Sequence, residues 1–262
     1  MKIKIIGLMV IIAFFVVSCK TTKSSSSSGQ SNSSQDKTTD ISVQSTRIDP
    51  NNTRNDPDAA NWNIAALDTA AKVDYLTGVE KDVILEMNKV RTNPKKYAEL
   101  YIRPVLRYYN GKYYSVPGQI TRITQEGTTA VNDCIKALNK AGSVGILTPE
   151  RGLSLAAKDH VTDQSRTGQI GHNGSDRSTP DTRIKRYGVF SGSWTFGENI
   201  AYGTTTAREI VCSLLIDDGV PNRGHRINIM NRAFTQSGVA FGTHKQYRTS
   251  CTITYANGYN SK

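Results

Sequence analysis

A serine-rich run near the N-terminus limits the part of this chain that can fold around a core. Residues 24–34 consist of serine, glycine, glutamine and asparagine, without one apolar side chain. Such a segment buries too little apolar surface to offset the entropy that is lost on ordering. We therefore predict a flexible tether over residues 19–76 and a single folded domain over residues 77–262, which is long enough for a conventional core.

The first eighteen residues have the pattern of a bacterial export signal. Lysines at the start precede an apolar run over residues 5–17, which suits a signal peptide and is short for a membrane-spanning helix. The run ends in small residues before Cys19, as in a lipobox. We predict a lipoprotein signal peptide over 1–18, with diacylglycerol and palmitate on Cys19 as a membrane anchor. An ordinary signal peptide or an N-terminal membrane helix are the alternatives.

The charge balance narrows the class of partner. The chain has 33 lysines and arginines against 22 aspartates and glutamates, a formal net charge of +11. A basic surface suits nucleic acid, an anionic membrane or a polyanionic wall polymer, but it is equally compatible with no dedicated partner. Export argues against nucleic acid. Because Lys20 gives no retention signal of the aspartate type, we predict the outer membrane or cell surface rather than the inner membrane.

The cysteines exclude a scaffold that is built on disulfides. After Cys19 only Cys134, Cys212 and Cys251 remain. This odd number permits at most one internal disulfide. Each of the three also lies beside apolar residues, so three buried thiols are an equally consistent interpretation.

Apolar periodicity and capping motifs predict an α+β domain. The predicted helices are 78–92, 129–141, one after Pro149, one opening at Thr206 and a short one at 227–230. The predicted strands are 144–148, 194–202, 237–241 and 248–256. His160 lies on an apolar helical stripe and is expected to be buried, whereas His244 falls near the closing turn and is expected to be exposed.

A tyrosine-rich insert near residues 101–125 separates the first two long helices. Asn110 and Gly111 stand between two pairs of tyrosines, which is a strong signal for a β-hairpin. With Arg103, Arg107 and Lys112, the tyrosines could instead form a surface that binds sugar or a polyanion. A plain hairpin with cross-strand tyrosine pairs is the simpler interpretation.

Three segments carry the histidines and carboxylates that suit a functional cleft. They are Gly171–Asp176, Gly197–Gly203 and Asp217–Met230. In the second segment Glu198 shares a predicted strand face with apolar residues, where a carboxylate needs a partner or must become neutral. A histidine is the obvious partner.

In this order the three segments resemble the bacterial branch of the CAP superfamily, the cysteine-rich secretory, antigen 5 and pathogenesis-related proteins. The resemblance covers about residues 78–258, apart from the insert. It implies an α-β-α sandwich around an antiparallel sheet, with a cleft lined by two histidines and two acidic residues. His172 and His225 match the histidines, and Glu198 matches the first acid.

The second acid of the CAP pattern has no clear counterpart. Glu209 is the naive choice, but it occupies the fourth place of a capping box that opens at Thr206. Asp217 and Asp218 follow Glu198 at close to the family spacing, and either could take its place. The predicted cleft therefore consists of His172, Glu198 and His225, with one of the two aspartates.

These residues allow three kinds of function. The favoured one is an envelope-anchored, non-catalytic binding module for a lipid, a glycan or a host or envelope protein, with a divalent metal such as zinc on His172 and His225 as an option. The first alternative is a metal-assisted or His/Glu-dependent hydrolase, although neither Gly-x-Ser-x-Gly nor His-Glu-x-x-His occurs. The second is a wall-associated structural protein. A hydrogen-bonded cluster that binds nothing is also compatible with the sequence.

Overall fold

The computed structural model describes residues 59–262 of the chain. The predicted signal peptide, Cys19 and the serine-rich run lie outside these residues. Within residues 59–262, no helix combines the length and the apolar character that a membrane span would need.

Helices flank one central sheet in the described part of the chain. The α-helices are α1 Ile64–Leu67, α2 Gly78–Thr92, α3 Pro94–Tyr97, α4 Thr128–Lys140, α5 Arg151–Thr167, α6 Pro180–Tyr187, α7 Ala207–Ile216 and α8 Gly224–Ile229. The strands are β1 Tyr109–Asn110, β2 Tyr113–Tyr114, β3 Arg122–Ile123, β4 Thr148–Pro149, β5 Gly188–Tyr202, β6 Gln236–His244 and β7 Arg248–Ser261.

Local sequence signals place the long helices. Thr77 and Glu80 form the capping box that opens α2, with the Thr77 N–H donating to Glu80 Oε2 at 2.7 Å. Asn93 ends α2 as predicted, and its Oδ1 then accepts the Lys96 N–H at 3.0 Å. The chain continues into the short α3 because Pro94 stands at the first helical position, where its missing N–H costs nothing.

The main sheet has the order β4-β6-β7-β5 and is almost entirely antiparallel. Only the two-residue β4 runs parallel, beside β6. This makes β5 an edge strand, and it carries an irregularity between Phe190 and Thr195. The predicted strand at 144–148 shrinks to β4, while β5 begins before the predicted residue 194.

Helices cover both faces of the sheet, so the fold is the predicted α+β sandwich of three layers. On one face the core includes Ile84 of α2, Leu138 of α4 and Ile210 of α7. On the other face, Leu153 of α5 and Ile184 of α6 pack with apolar residues of β7. The α-β-α order follows because each face of a sheet must be buried against another layer.

The packed part of the chain begins earlier than the predicted boundary at residue 77. Trp62, Leu67 and Leu76 belong to the core around α2, and the Trp62 indole N–H donates to Tyr101 Oη at 2.9 Å. Asn88 of α2 donates to the Leu67 carbonyl at 2.8 Å. The tether prediction was therefore wrong over residues 59–76, because a short apolar segment can pack on a neighbouring helix without periodicity of its own.

The insert folds as the predicted hairpin and adds a third strand. Tyr109 pairs with Tyr114, and Tyr113 pairs with both Asn110 and Ile123. The resulting small sheet, β1-β2-β3, is separate from the main sheet.

Two sequence expectations fail in the described region. His244 is 2% exposed rather than exposed, because its ring packs against Tyr202 and Tyr247 and its Nε2 donates to the Gln169 carbonyl at 3.0 Å. The second is α6, since the sequence predicted no helix between the one after Pro149 and the strand at 194–202.

The three cysteines of the domain are all free and buried. Burial raises the pKa of Cys134 to about 12 and that of Cys212 and Cys251 further still. They are core residues rather than nucleophiles, because the thiolate is the reactive form.

Candidate functional site

Glu198 of β5 is the centre of the candidate site. Its side chain is 3% exposed, and both carboxylate oxygens are hydrogen-bonded. The Oε1 atom lies 2.8 Å from His172 Nδ1, and Oε2 accepts from the Arg183 guanidinium at 2.7 Å. The expected pairing of Glu198 with a histidine is therefore present, and an arginine completes it.

Arg183 holds the site together from α6. Its side chain is 2% exposed, and besides Glu198 it donates to the carbonyl oxygens of His172 at 3.0 Å and Ser178 at 3.1 Å. It thus binds the Glu198 carboxylate and the backbone of the loop that carries His172. This arginine fixes the position of the histidine relative to the acid.

Opposing effects set the charge of Glu198. Burial raises the pKa of this carboxyl, but the hydrogen bond from His172 and the charge of Arg183 outweigh it. The pKa therefore lies below its ordinary value, and Glu198 is ionised at neutral pH. A general base is most effective with a pKa near the working pH, and this carboxylate is shifted the other way.

His160 of α5 holds the backbone next to His172. It is fully buried, and its Nε2 donates to the carbonyl of Gly171, the residue before His172. Burial lowers the pKa of His160, so the ring is neutral. It is a buried supporting histidine, as its place on the apolar stripe predicted.

The loop after His172 is held in a fixed shape. Asp176 Oδ1 accepts the Ser178 N–H at 2.9 Å, which makes a local turn, and its other oxygen accepts from Arg186 at 2.8 Å. Arg177 takes a φ of +67°, a region that favours glycine.

His225 belongs to a second pair, with Asp217. Asp217 ends α7 in a left-handed conformation, and its carboxylate accepts from His225 Nδ1 at 2.6 Å and from the His225 N–H at 2.9 Å. Both side chains are at most 5% exposed. The acid that partners His225 is therefore Asp217.

The other two acids that the sequence left open have structural roles. Asp218 accepts the backbone N–H groups of Gln125 at 2.7 Å and Glu126 at 2.8 Å, so it holds the residues before α4. Glu209 forms the capping box of α7 with Thr206, as predicted. The structure does not bring either carboxylate to a histidine ring.

Two asparagines connect the pairs. Asn199 follows Glu198 on β5, so its side chain points to the opposite face, where it donates to the His225 carbonyl at 3.0 Å. Asn228 of α8 donates to Asn199 Oδ1 at 2.9 Å. Consecutive residues of β5 thus contact the two pairs, one on each side of the edge strand.

The His172, His225 and Glu198 side chains are each engaged in a side-chain pair. Within residues 59–262, no group of three or more His, Cys, Asp or Glu side chains could hold a metal ion. Glu198 is already neutralised by Arg183, and that guanidinium would repel a divalent cation. Each histidine has a carboxylate at Nδ1, which places the proton there and the lone pair of the neutral ring on Nε2. Zinc on His172 and His225 remains a prediction.

Comparison with known proteins decides the family. The sequence pattern of the cysteine-rich secretory protein family, CAP, matches residues 86–256. The chain belongs to the CAP family. The match spans the His172 loop, Glu198 and the Asp217–His225 segment, so the residues singled out by resemblance lie inside the family region. No curated protein matches the chain significantly.

Two solved structures resemble this CAP domain. The first is an outer surface protein from Borrelia burgdorferi, at 19% identity and a TM-score of 0.37, covering 47% of this chain and 83% of that one. The second is an extracellular protein containing an SCP domain from Bacillus anthracis, at 21% identity and a TM-score of 0.34, covering 43% of this chain and 34% of that one.

Arg183 is the site residue that sequence reasoning missed. The sequence showed that Glu198 needed a partner, and a histidine was taken as sufficient. One signal was available: Thr179 and Pro180 form a helix start, which would have placed Arg183 in the first turns of a helix beside Ile184.

Proposed function

We propose that this CAP-domain protein is a non-catalytic binding protein, held at the bacterial cell envelope by lipid on Cys19. The observation that carries the proposal is the engagement of both Glu198 oxygens by His172 and Arg183. A carboxylate in this state stays ionised and fixed in position, with its charge balanced by Arg183. It is poorly suited to take a proton from a water molecule or a substrate.

An aromatic stack beside the pair supports binding. Trp194 stacks on Phe190 at a centroid distance of 4.5 Å and on Phe196 at 6.3 Å, and all three rings are partly exposed. Phe196 and Glu198 lie on one face of β5 because side chains alternate along a strand. The stacking of Trp194 on Phe196 places the indole ring on the same side. Flat aromatic faces next to a polar edge suit a sugar ring or the ring system of a lipid.

The first test is ligand capture with matched variants. Wild-type protein, Trp194→Ala and the exposed control Val189→Ala would be applied to lipid and glycan arrays. We expect a ligand that Val189→Ala retains and that Trp194→Ala binds about tenfold more weakly, because ring stacking is lost. Equal binding by all three proteins would contradict the assignment of the ligand to this surface.

The second test addresses hydrolysis and metal. Turnover of a peptide library by wild type and Glu198→Gln would be compared, with circular dichroism as a folding control. We expect no turnover that depends on Glu198; turnover that Glu198→Gln abolishes would establish the peptidase alternative.

Metal analysis of wild type beside His172→Ala/His225→Ala tests zinc, since a stoichiometric ion that the variant loses would make the metal part of the site.

A further inference from the structure

The insert exposes an unusual amount of apolar surface. Tyr113, Ile120 and Ile123 are 56%, 75% and 61% exposed, and the two isoleucines are the most exposed large hydrophobic residues of the described chain. Soluble proteins scatter such residues singly, whereas several together mark an interaction site. We call these three residues the insert patch.

The small sheet separates two faces of the insert. Tyr109 and Tyr114 pair on one face, where the two rings lie 4.9 Å apart and are partly buried. Tyr113 and Ile123 are directly paired on the other face. Tyr113 and Ile123 therefore lie on the outward face of an ordered sheet, and Ile120 lies in the loop that joins β2 to β3.

The charged side chains of the insert itself are all positive. Residues 103–124 contain Arg103, Arg107, Lys112 and Arg122 but no aspartate or glutamate. All four are exposed, and Arg103 forms an ion pair with Glu99 outside this segment. Two further carboxylates contact the insert where it meets the domain: Glu209 accepts from Gln119 at 2.8 Å and Asp218 from the Gln125 N–H at 2.7 Å. Lys112 directly precedes Tyr113 and Arg122 directly precedes Ile123 in the chain, so these two cations lie within about one Debye length of the patch.

We propose that the insert patch docks on an anionic lipid bilayer. Apolar side chains surrounded by lysine and arginine match an interface in which isoleucine enters the acyl boundary while cations contact phosphate groups. Tyrosine is favoured at that boundary because its ring is apolar and its hydroxyl is polar. A wall polymer would use the charges but would leave Ile120 and Ile123 without a partner, so the observations favour lipid.

The predicted anchor is compatible with this contact. If Cys19 carries lipid, the domain is attached to the bilayer through residues 20–58. The anchor then raises the local concentration of the patch at the membrane. The docking proposal does not depend on lipidation, because the patch residues are all within the folded domain.

The test uses the full-length mature chain with Cys19→Ser, so that no lipid is attached. Sedimentation with vesicles of phosphatidylcholine containing phosphatidylglycerol would be compared with vesicles of phosphatidylcholine alone. We expect binding to the anionic vesicles, weakened by salt. Ile120→Asn/Ile123→Asn keeps every charge and should bind about tenfold more weakly. The control is Ile227→Asn, a residue 59% exposed on α8, which should bind as wild type.

Three outcomes would overturn the proposal. The first is equal vesicle binding by wild type and Ile120→Asn/Ile123→Asn, which would mean that charge alone accounts for the binding. The second is retention on purified cell walls without binding to anionic vesicles, which would make the partner a wall polymer. The third is loss of binding in the Ile227→Asn control. Urea unfolding of each variant confirms that the exposed substitutions leave the domain folded.

Discussion

Glu198 illustrates how the fold keeps a buried carboxylate charged. Removing an ion from water is costly, and the cost is offset only when its hydrogen bonds are complete. Here Arg183 supplies a guanidinium at 2.7 Å and His172 a ring N–H at 2.8 Å. Arg183 and His172 therefore offset the desolvation of the Glu198 charge, and Arg183 also fixes the loop at residues 171–178.

Replacing Arg183 should destabilise the domain strongly. Arg183→Met leaves the Glu198 charge buried without its cation, so we expect a loss of about 3 kcal/mol or more in the free energy of unfolding. Arg186→Met is the matched control from the same helix, with a side chain that is 42% exposed, and it should cost less than about 1 kcal/mol. Urea denaturation measures both losses in the free energy of unfolding. Equal losses would show that the buried Arg183–Glu198 pair stabilises the domain no more than an exposed ion pair does.

Single residues of the site were predictable only in part. His172, His225 and Glu198 follow from their motifs, and the need of Glu198 for a partner follows from its apolar strand face. The separation of Asp217 from Asp218 was not predictable, because neighbouring aspartates have the same chemistry. Their roles differ because Asp217 ends α7 in a left-handed conformation, whereas Asp218 contacts the residues before α4.

At the scale of elements, the segment 59–76 is a strap across the helical layer. Trp62 is 9% exposed and packs against Tyr97 and Tyr101, with centroid distances of 6.4 Å. Thr69 donates to the carbonyl of Leu147 at 2.7 Å, next to β4. The strap thus contacts the end of α3 and the residue before β4, which are distant from each other in sequence.

Removing the indole should loosen this strap. Trp62→Ala is expected to lower the free energy of unfolding by about 3 kcal/mol, because a large core side chain is lost together with its hydrogen bond. Trp194→Ala is the control, since Trp194 is partly exposed and should cost far less. Thermal or urea unfolding distinguishes them; no loss for Trp62→Ala would mean that the strap does not stabilise the domain.

Element prediction succeeded where periodicity or capping was strong. Helices α2, α4, α5 and α7 all carry an apolar stripe, and α2 and α7 open with capping boxes. Helix α6 was missed because it is short and charged, with only one fully apolar buried residue, Ile184. The strap and the added strand β3 depend on tertiary packing, which local patterns do not encode.

At the scale of the molecule, the CAP domain presents two separate surfaces. One is the edge strand β5 with the His172–Glu198 pair and the aromatic stack. The other is the insert patch. An anchored protein could use the second surface at its own membrane while the first remains available for a ligand.

Lipid attachment at Cys19 is the prediction that concerns the whole protein. Cells fed a clickable palmitate analogue should label the wild-type protein, and Cys19→Ala should remain unlabelled. Lipidation uses the thiol, so the substitution removes the reacting atom itself. Labelling of Cys19→Ala, or a wild-type protein found only in the soluble fraction, would contradict the anchor.

The central claim is that Glu198 is a fixed anion of a binding site, and its titration tests this most directly. NMR of the ¹³C-labelled glutamate carboxyls, with Glu198→Gln to assign the signal, would follow its protonation as pH falls. The account predicts a midpoint below the ordinary glutamate pKa of about 4.3, because Arg183 and His172 favour the charged form. A midpoint shifted upward towards neutral pH would contradict it and indicate a carboxyl prepared for acid–base catalysis.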